Sequence, residues 1–291
     1  MFEGVYPALI TPFKDNRNRD VDLDGLSSNI EFLISEGVHG IVPCGSTGES
    51  ATLTFEEHEE VISKAIDTAN GRVPVLAGTG SNNTAEAVRF TKAAKDLGAD
   101  GVLVLSPYYN KPNRSGLVKH YNTLADLDVP VVVYNVPGRT GQNLPPDLII
   151  ELAEHPNITG IKEASGDLSQ MSRIIEGTID MDFDVISGDD MLTLPLLAIG
   201  GTGVISVAAN VEPGRMVSMY EKFMSGDLEG ARNVHFELSP LFRGMFIETN
   251  PIPVKKAVGL RGMAAGPLRL PLDELEEEKV NSLKEVLKQY D

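Results

Sequence analysis

The sequence predicts an α/β protein with a (β/α)8 TIM barrel and a C-terminal helical appendage. Short runs rich in valine, isoleucine and leucine alternate with longer stretches of helical periodicity along the chain. The runs lack strict polar alternation, as expected for parallel strands that are covered on both faces. Eight strand–helix units are complete by about residue 224, and eight units in a chain of 291 residues favour a closed barrel.

The strand-like runs recur along the chain, and each is followed by an amphipathic segment. A doubly wound open sheet is the main alternative architecture. It is disfavoured because no glycine-rich dinucleotide loop follows the first run, and Gly78-Thr79-Gly80 is only a fragment of that motif. The eight runs are residues 5–13, 40–44, 74–78, 101–106, 130–135, 158–163, 183–187 and 203–207.

Capping patterns mark the beginnings of two predicted helices. Thr54, with Glu57 three residues later, forms a capping box that opens a strongly amphipathic helix. Asn83 and Glu86 form a similar pair before the next helix. Both patterns support the alternation of strands and helices.

The chain beyond the eighth unit shows helical patterns only. We therefore expect a catalytic barrel over residues 1–224 and a three-helix region over residues 225–291. The three predicted helices cover residues 227–246, 253–259 and 273–289.

Composition and charge exclude several classes of function. No apolar run reaches the roughly 20 residues that span a bilayer, and the N-terminal residues lack the regions of a secretory signal. A net charge of -17 without a basic cluster disfavours binding to nucleic acid or to an anionic membrane. Cys44 is the only cysteine, so no internal disulfide can form. We expect a cytoplasmic protein in which local cations capture any anionic substrate.

Active sites of βα barrels lie at the carboxyl ends of the strands, and Lys162 is the unusual residue there. Lysine is depleted from strands, yet this one ends the run Ile158-Thr159-Gly160-Ile161. If it points into the barrel, burial favours the neutral amine, which attacks ketones to form a Schiff base. A lysine that extends from the strand end to solvent is the alternative.

Other strand ends carry groups that suit such chemistry. Tyr134 could relay protons, and the turn Gly45-Ser46-Thr47-Gly48 could hold a carboxylate on its hydroxyl and N–H groups. Arg139 could bind a carboxylate bidentately. Each group also has a structural interpretation: a core tyrosine, an ordinary glycine-rich turn and a surface salt bridge.

The sequence contains no clear metal or thiol site. The five histidines show no metal-ligand spacing. Asp189-Asp190 could bind a divalent cation, but no second carboxylate cluster supports that interpretation. Cys44 has no neighbouring base, which favours a small buried strand residue over a nucleophile.

Seven stretches, in this order, resemble the dihydrodipicolinate synthase family within the N-acetylneuraminate lyase superfamily. The similarity extends from about Gly4 to Pro271, which is nearly the whole chain, and the complete set is highly specific. The stretches are residues 8–13, 45–50, 107–112, 134–140, 161–164, 203–207 and 248–255.

The resemblance implies a Schiff-base mechanism that needs no metal or organic cofactor. Lys162 would form the Schiff base with pyruvate, and Tyr134 would relay protons at that centre. Ser46 and Tyr109 would complete the relay, with Tyr109 reaching into the site of a neighbouring subunit. The family condenses pyruvate with L-aspartate 4-semialdehyde to 4-hydroxy-tetrahydrodipicolinate, a step towards lysine and diaminopimelate. Its members are usually homotetramers made of two tight dimers.

The resemblance also implies four substrate-binding residues. Thr47 would help to bind the carboxylate of pyruvate, and Arg139 would hold the carboxylate of the semialdehyde. Gly188 and Ile205 would contact substrate through their backbone atoms.

The chain departs from the family pattern at two positions. Ser46 stands where threonine is usual, which keeps the hydroxyl and also resembles the N-acetylneuraminate lyase branch. Phe55 replaces a frequent histidine at an interface site that binds lysine in inhibited members, so we expect weak or absent inhibition by lysine. The other residues that match this site are Ser50, Ala51, His58, Asn82, Glu86 and Tyr108.

Two other functions stay open from the sequence. Another pyruvate-dependent lyase, acting on sialic acid or a keto-deoxy sugar acid, would need more hydroxyl-binding groups where this chain has Arg139. A non-catalytic ligand-binding barrel is disfavoured because a competent side chain occupies every catalytic position of the family.

Overall fold

The computed structural model describes all residues from Met1 to Asp291 and contains seven strands and twelve α-helices. The strands are β1 (Gly4–Pro7), β2 (Leu76–Gly78), β3 (Gly101–Leu105), β4 (Val131–Asn135), β5 (Ile158–Glu163), β6 (Asp184–Ser187) and β7 (Gly203–Ser206). The helices are α1 (Leu23–Ser35), α2 (Phe55–Ala69), α3 (Thr84–Leu97), α4 (Arg114–Ala125), α5 (Pro137–Thr140), α6 (Pro146–Ala153), α7 (Leu168–Thr178), α8 (Thr193–Ala198), α9 (Pro213–Met224), α10 (Leu228–Gly244), α11 (Ile252–Leu260) and α12 (Glu277–Leu287).

The strands form one parallel sheet in the order β1-β7-β6-β5-β4-β3-β2. Ile41 and Val42 fill the gap between the two edge strands. Val42 N donates to Pro7 O, and Leu76 N donates to Ile41 O, each over 3.0 Å. The sheet therefore curls round and closes, and the predicted barrel architecture is confirmed.

The prediction of a regular second strand over residues 40–44 is wrong. Only isolated bridges form there, from Val42 to Ala8 and from Ile41 to Val75. Pro43 has no N–H to donate to a ladder, and Cys44 adopts a left-handed conformation with φ 56°. The chain consequently leaves the extended conformation after two paired residues.

Two hydrophobic clusters separate the barrel interior from the layer between strands and helices. The outer cluster contains 60 buried residues. Because side chains also fill the interior, as is usual in such barrels, a ligand cavity is expected at an end of the barrel. The interior cluster consists of Phe2, Tyr6, Ala8, Val42, Leu76, Leu103, Val132, Tyr134, Ile186 and Ile205.

The helix beginnings follow the capping patterns, with one difference. Thr54 and Glu57 form the complete capping box of α2, as predicted. Asn83 caps α3 by accepting from Ala85 N. Glu86, however, accepts from Ser81 Oγ at 2.9 Å and so fixes the preceding loop instead of closing a second box.

Three helices occupy the C-terminal region, as the patterns predicted. α10 and α11 agree with the predicted segments to within two residues at each end, whereas α12 begins at Glu277, four residues later than predicted. The division of the chain at residue 224 stays a prediction. None of the twelve helices has the length and apolar character needed to cross a membrane.

Candidate active site

A cavity of about 350 Å³ lies at the carboxyl end of the barrel. Its wall draws on strands, on the loops that follow them and on α10. Six of the eight residues assigned from the sequence belong to this wall, whereas Tyr109 and Ile205 do not. The six are Ser46, Thr47, Tyr134, Arg139, Lys162 and Gly188.

Lys162 and Tyr134 face each other across the pairing of β4 with β5. They are direct register partners, so both side chains lie on the same face of the sheet. The Nζ of Lys162 lies 4.3 Å from the centroid of the Tyr134 ring. Lys162 is 6% exposed, which excludes the alternative of a lysine that extends to solvent.

Burial adjusts the acidity of both groups. It lowers the pKa of Lys162 to about 7, an effect that Asp190 opposes and Arg139 reinforces. A large fraction of the lysine is therefore the neutral, nucleophilic amine near pH 7. Burial also raises the pKa of Tyr134 to about 12, although Arg139 and a hydrogen bond with Ser46 favour the phenolate. Tyr134 is thus a phenol that can donate a proton.

A buried polar cluster fixes the two strands from behind. Asn135 and Glu163 directly follow Tyr134 and Lys162 and lie on the opposite face of the sheet. Asn135 Nδ2 donates to Glu163 Oε2 at 2.9 Å, and Gln170 Nε2 donates to the same oxygen at 3.0 Å. The other oxygen, Oε1, accepts from Ser165 N at 2.6 Å. This cluster sets the register that holds Tyr134 against Lys162.

Gly188 leaves room for the lysine side chain. A Cβ atom at this position would lie 2.6 Å from Ala164 Cβ and 3.0 Å from Lys162 Cε. Any larger residue at position 188 would therefore displace the lysine side chain. This steric requirement for glycine is independent of the backbone contact with substrate that the resemblance implies.

The turn of residues 45–48 presents its donors to the cavity. The backbone N–H groups of Ser46 and Thr47 donate to no other group of the chain. Thr11 Oγ1 donates to Gly48 O at 2.7 Å and anchors the end of the turn. Glu49, which follows, has a left-handed backbone with φ 53°. The turn therefore has the free donors that a carboxylate requires.

Asn250 connects this turn to Arg139. Its Nδ2 donates to Thr47 Oγ1 at 2.9 Å, and its backbone oxygen accepts from Arg139 Nη2 at 2.7 Å. The remaining guanidinium N–H groups of Arg139, in the short helix α5, have no partner in the chain. They leave the guanidinium able to bind a carboxylate at the edge of the cavity.

The model of the Dihydrodipicolinate synthetase family matches residues 1–290. The chain belongs to this family. The known members that it resembles include proteins of archaea and bacteria.

Two relatives of this family member are named 4-hydroxy-tetrahydrodipicolinate synthase. The protein from Methanoculleus marisnigri is 71% identical, with 99% of each chain covered. The protein from Methanospirillum hungatei is 70% identical over the full length of both chains. A crystal structure of dihydrodipicolinate synthase from Aquifex aeolicus superposes with a TM-score of 0.95 at 47% identity, covering 99% of this chain and 98% of that one.

Asp190 is a wall residue of this dihydrodipicolinate synthetase family member that the sequence analysis did not assign. Ser206 Oγ and the N–H groups of Val207 and Ala208 donate to its carboxylate, which is buried. Burial raises the pKa of Asp190 to about 6, so it is mostly an anion at neutral pH. In the sequence, the only signal for Asp190 was the Asp189-Asp190 pair, which we considered as a site for a divalent cation. Three hydrogen bonds hold the Asp190 carboxylate in place, and its negative charge raises the pKa of Lys162 against the effect of burial.

Tyr109 and Ile205 lie apart from the cavity wall. Tyr109 is 89% exposed, so its side chain extends to the surface and not into the cavity of its own barrel. Its backbone is left-handed, with φ 71°. Ile205 is buried in the barrel interior on β7. Their assigned contacts with a neighbouring site and with substrate stay predictions.

Proposed function

We propose that the protein condenses pyruvate with L-aspartate 4-semialdehyde to 4-hydroxy-tetrahydrodipicolinate through a Schiff base on Lys162. The observation that carries this proposal is a buried lysine whose pKa falls to about 7 beside a buried phenol. Family membership and relatives at 70% identity support the same reaction. The enzyme is a lyase of lysine and diaminopimelate biosynthesis.

The first half-reaction forms the imine. The neutral amine of Lys162 attacks the keto carbon of pyruvate, and the carbonyl oxygen takes a proton from Tyr134. A second proton transfer releases that oxygen as water and leaves the protonated imine. Ser46, which is hydrogen-bonded to Tyr134, returns protons to the phenol. Tyr109 of a neighbouring subunit completes this relay.

The second half-reaction forms the carbon–carbon bond and the ring. The methyl group bound to the imine carbon loses a proton, and the resulting enamine attacks the aldehyde carbon. The aldehyde oxygen becomes a hydroxyl group by taking up a proton. The amino group of the semialdehyde then attacks the imine carbon, and the amine of Lys162 leaves. One water molecule is released in the whole reaction.

The carboxylates of the two substrates bind at different places. The N–H groups and the Thr47 hydroxyl of the turn hold the carboxylate of pyruvate. Arg139 holds the carboxylate of the semialdehyde. Gly188 and Ile205 contribute backbone contacts. These cations and donors overcome the net charge of -17, which opposes anionic ligands at long range.

We also infer that the protein is a cytoplasmic homotetramer built from two tight dimers. The exposed side chains of Tyr109 and Leu270 support an interface between subunits that includes these two residues. Their chain neighbours Tyr108, Pro271 and Leu272 line one cavity, so the exposed apolar groups lie near each other. Contiguous exposed apolar surface is typical of association sites.

The test is to reduce the adduct of pyruvate with borohydride and locate it by peptide mass. We expect modification of Lys162 in the wild-type protein and none in Lys162→Ala. Turnover of pyruvate with aspartate semialdehyde, but not with N-acetylmannosamine, distinguishes this function from that of a sister lyase. The absence of an adduct at Lys162 would indicate a non-catalytic barrel.

A further inference from the structure

Asn250 lies between the two proposed carboxylate-binding groups of the cavity. It is 5% exposed and immediately precedes the residue that caps α11. Its amide nitrogen is used by Thr47, and its backbone oxygen is used by Arg139. Neither of these bonds involves the side-chain oxygen.

The side-chain oxygen of Asn250, Oδ1, is buried and has no hydrogen-bond partner in the chain. No other residue of the cavity wall has such an unpaired buried side-chain oxygen or nitrogen. Leaving a buried amide oxygen unpaired is unfavourable, and nearly all such groups in proteins have a partner. A donor that enters the cavity would supply the partner. Asn250 lines the cavity, and the terminal torsion of an asparagine is soft, so its amide can turn towards a donor that enters there.

We propose that Oδ1 of Asn250 accepts a hydrogen bond from the amino group of the second substrate. The proposal rests on the function above, in which this substrate is an α-amino acid aldehyde. Its carboxylate and amino group are attached to the same carbon atom. When Arg139 holds the carboxylate, the amino group lies beside the residue that Arg139 already contacts, which is Asn250.

This contact has a consequence for the ring closure. The nitrogen must lose a proton and direct its lone pair at the imine carbon, while the amine of Lys162 leaves. A hydrogen bond from one N–H to Asn250 restricts the rotation of that nitrogen. Asn250 is therefore a specificity-determining residue, which favours an amino aldehyde over one that carries only a carboxylate.

The experiment compares aspartate semialdehyde with succinic semialdehyde, which lacks the amino group. For Asn250→Leu we expect kcat/KM for aspartate semialdehyde to fall by about ten- to a hundredfold. The inhibition constant of succinic semialdehyde should change by less than about threefold, because that ligand never made the bond. Asn250→Asp keeps an acceptor oxygen and should move the preference towards the amino substrate.

Thr47→Val is the matched control, since it removes the hydrogen bond between Asn250 Nδ2 and Thr47 Oγ1 but keeps the Oδ1 atom of Asn250. It should affect both aldehydes equally. Equal effects of Asn250→Leu on both aldehydes, or shifts of preference in the same direction for Leu and Asp, would overturn the inference. The borohydride adduct at Lys162 reports whether each variant retains the folded site. A wild-type protein that forms the adduct but does not turn over aspartate semialdehyde would refute the proposed function itself.

Discussion

At the scale of single residues, the reactivity of Lys162 depends on the groups that surround it. A strand lysine is an ordinary cation in water, and burial in the barrel makes it a nucleophile. Asp190 limits this effect, because its anion favours the ammonium form. The balance of these two influences places the pKa of the lysine within the physiological range.

The rate of adduct formation with pyruvate should therefore depend on pH. We expect the rate of borohydride-trapped modification to rise with pH through about 7 and then to level off, as the neutral amine becomes dominant. Asp190→Asn removes the anion that raises the pKa of Lys162, so the midpoint should move to lower pH. Asp189→Asn is the control and should leave the midpoint in place. A midpoint that stays unchanged, or rises, in Asp190→Asn would contradict this assignment.

A second residue-scale prediction concerns Phe55 and inhibition by lysine. Phe55 lines a second cavity of about 610 Å³, which adjoins the first at Ser46, Arg139 and Asn250. Most of the residues expected for a lysine site line this second cavity. The ring of Phe55 packs against Phe90, and the guanidinium of Arg89 lies 4.0 Å above it. The ring offers no hydrogen bond, and the guanidinium repels a cationic ligand.

We expect little inhibition at millimolar lysine in a steady-state assay, and stronger inhibition after Phe55→His. Phe236→His, on an exposed part of α10, serves as the control. Submillimolar inhibition of the wild-type enzyme would show the prediction to be wrong.

At the scale of elements, the pairing of β4 with β5 brings the catalytic groups together. The register pairs Tyr134 with Lys162 on the inner face and Asn135 with Glu163 on the outer face. The outer pair belongs to a hydrogen-bonded cluster with α7. The hydrogen bonds on the outer face therefore fix the register that places Tyr134 next to Lys162 on the inner face.

Replacement of Glu163 should disturb both stability and catalysis. Glu163→Leu removes the hydrogen bonds that Glu163 accepts from Asn135, Gln170 and Ser165, and we expect a loss of about 2–4 kcal/mol in the free energy of unfolding by urea. Glu154→Leu, at the exposed position that ends α6, should stay within about 0.5 kcal/mol. Trapping of pyruvate at Lys162 should also slow in the first variant only. Equal stabilities of the two variants would exclude the proposed role of the cluster.

At the scale of the whole molecule, the C-terminal helices support the active-site turn. Lys255 of α11 forms a buried ion pair with Glu49 at 2.5 Å, directly after the turn of residues 45–48. The same ammonium lies 4.0 Å from the ring centroid of Phe13. The C-terminal region is consequently part of the machinery that holds the turn in place.

Breaking this pair should destabilise the protein strongly. Lys255→Met leaves the carboxylate of Glu49 buried without its cation, and we expect a loss of about 3–5 kcal/mol in chemical unfolding. Lys256→Met removes the neighbouring lysine, whose pair with Glu274 is exposed, and should cost less than about 0.5 kcal/mol. The double variant Lys255→Met with Glu49→Gln should recover part of the loss. Similar losses for the two lysine variants would contradict the role of the pair.

Assembly can be tested through complementation between subunits. Tyr109→Phe and Lys162→Ala should each have little activity alone. If Tyr109 acts in a neighbouring site, refolding an equimolar mixture should restore part of the activity, because mixed dimers contain one complete site. An affinity tag on one variant shows by co-purification of the other that hybrid oligomers have formed. Hybrid oligomers without restored activity would place Tyr109 outside the relay.

The sequence by itself determined the alternation of strands and helices, the position of Lys162 at a strand end and the family. These features are local, because periodicity, capping and motif order are written in neighbouring residues. Only the tertiary structure decided that two residues close the barrel, that Lys162 is buried enough for its pKa to fall, and that Tyr109 points outward. It also placed Asn250 against Thr47, which is 203 positions away in the chain. Desolvation and contacts between distant segments depend on proximity in space, so no local pattern could have shown them.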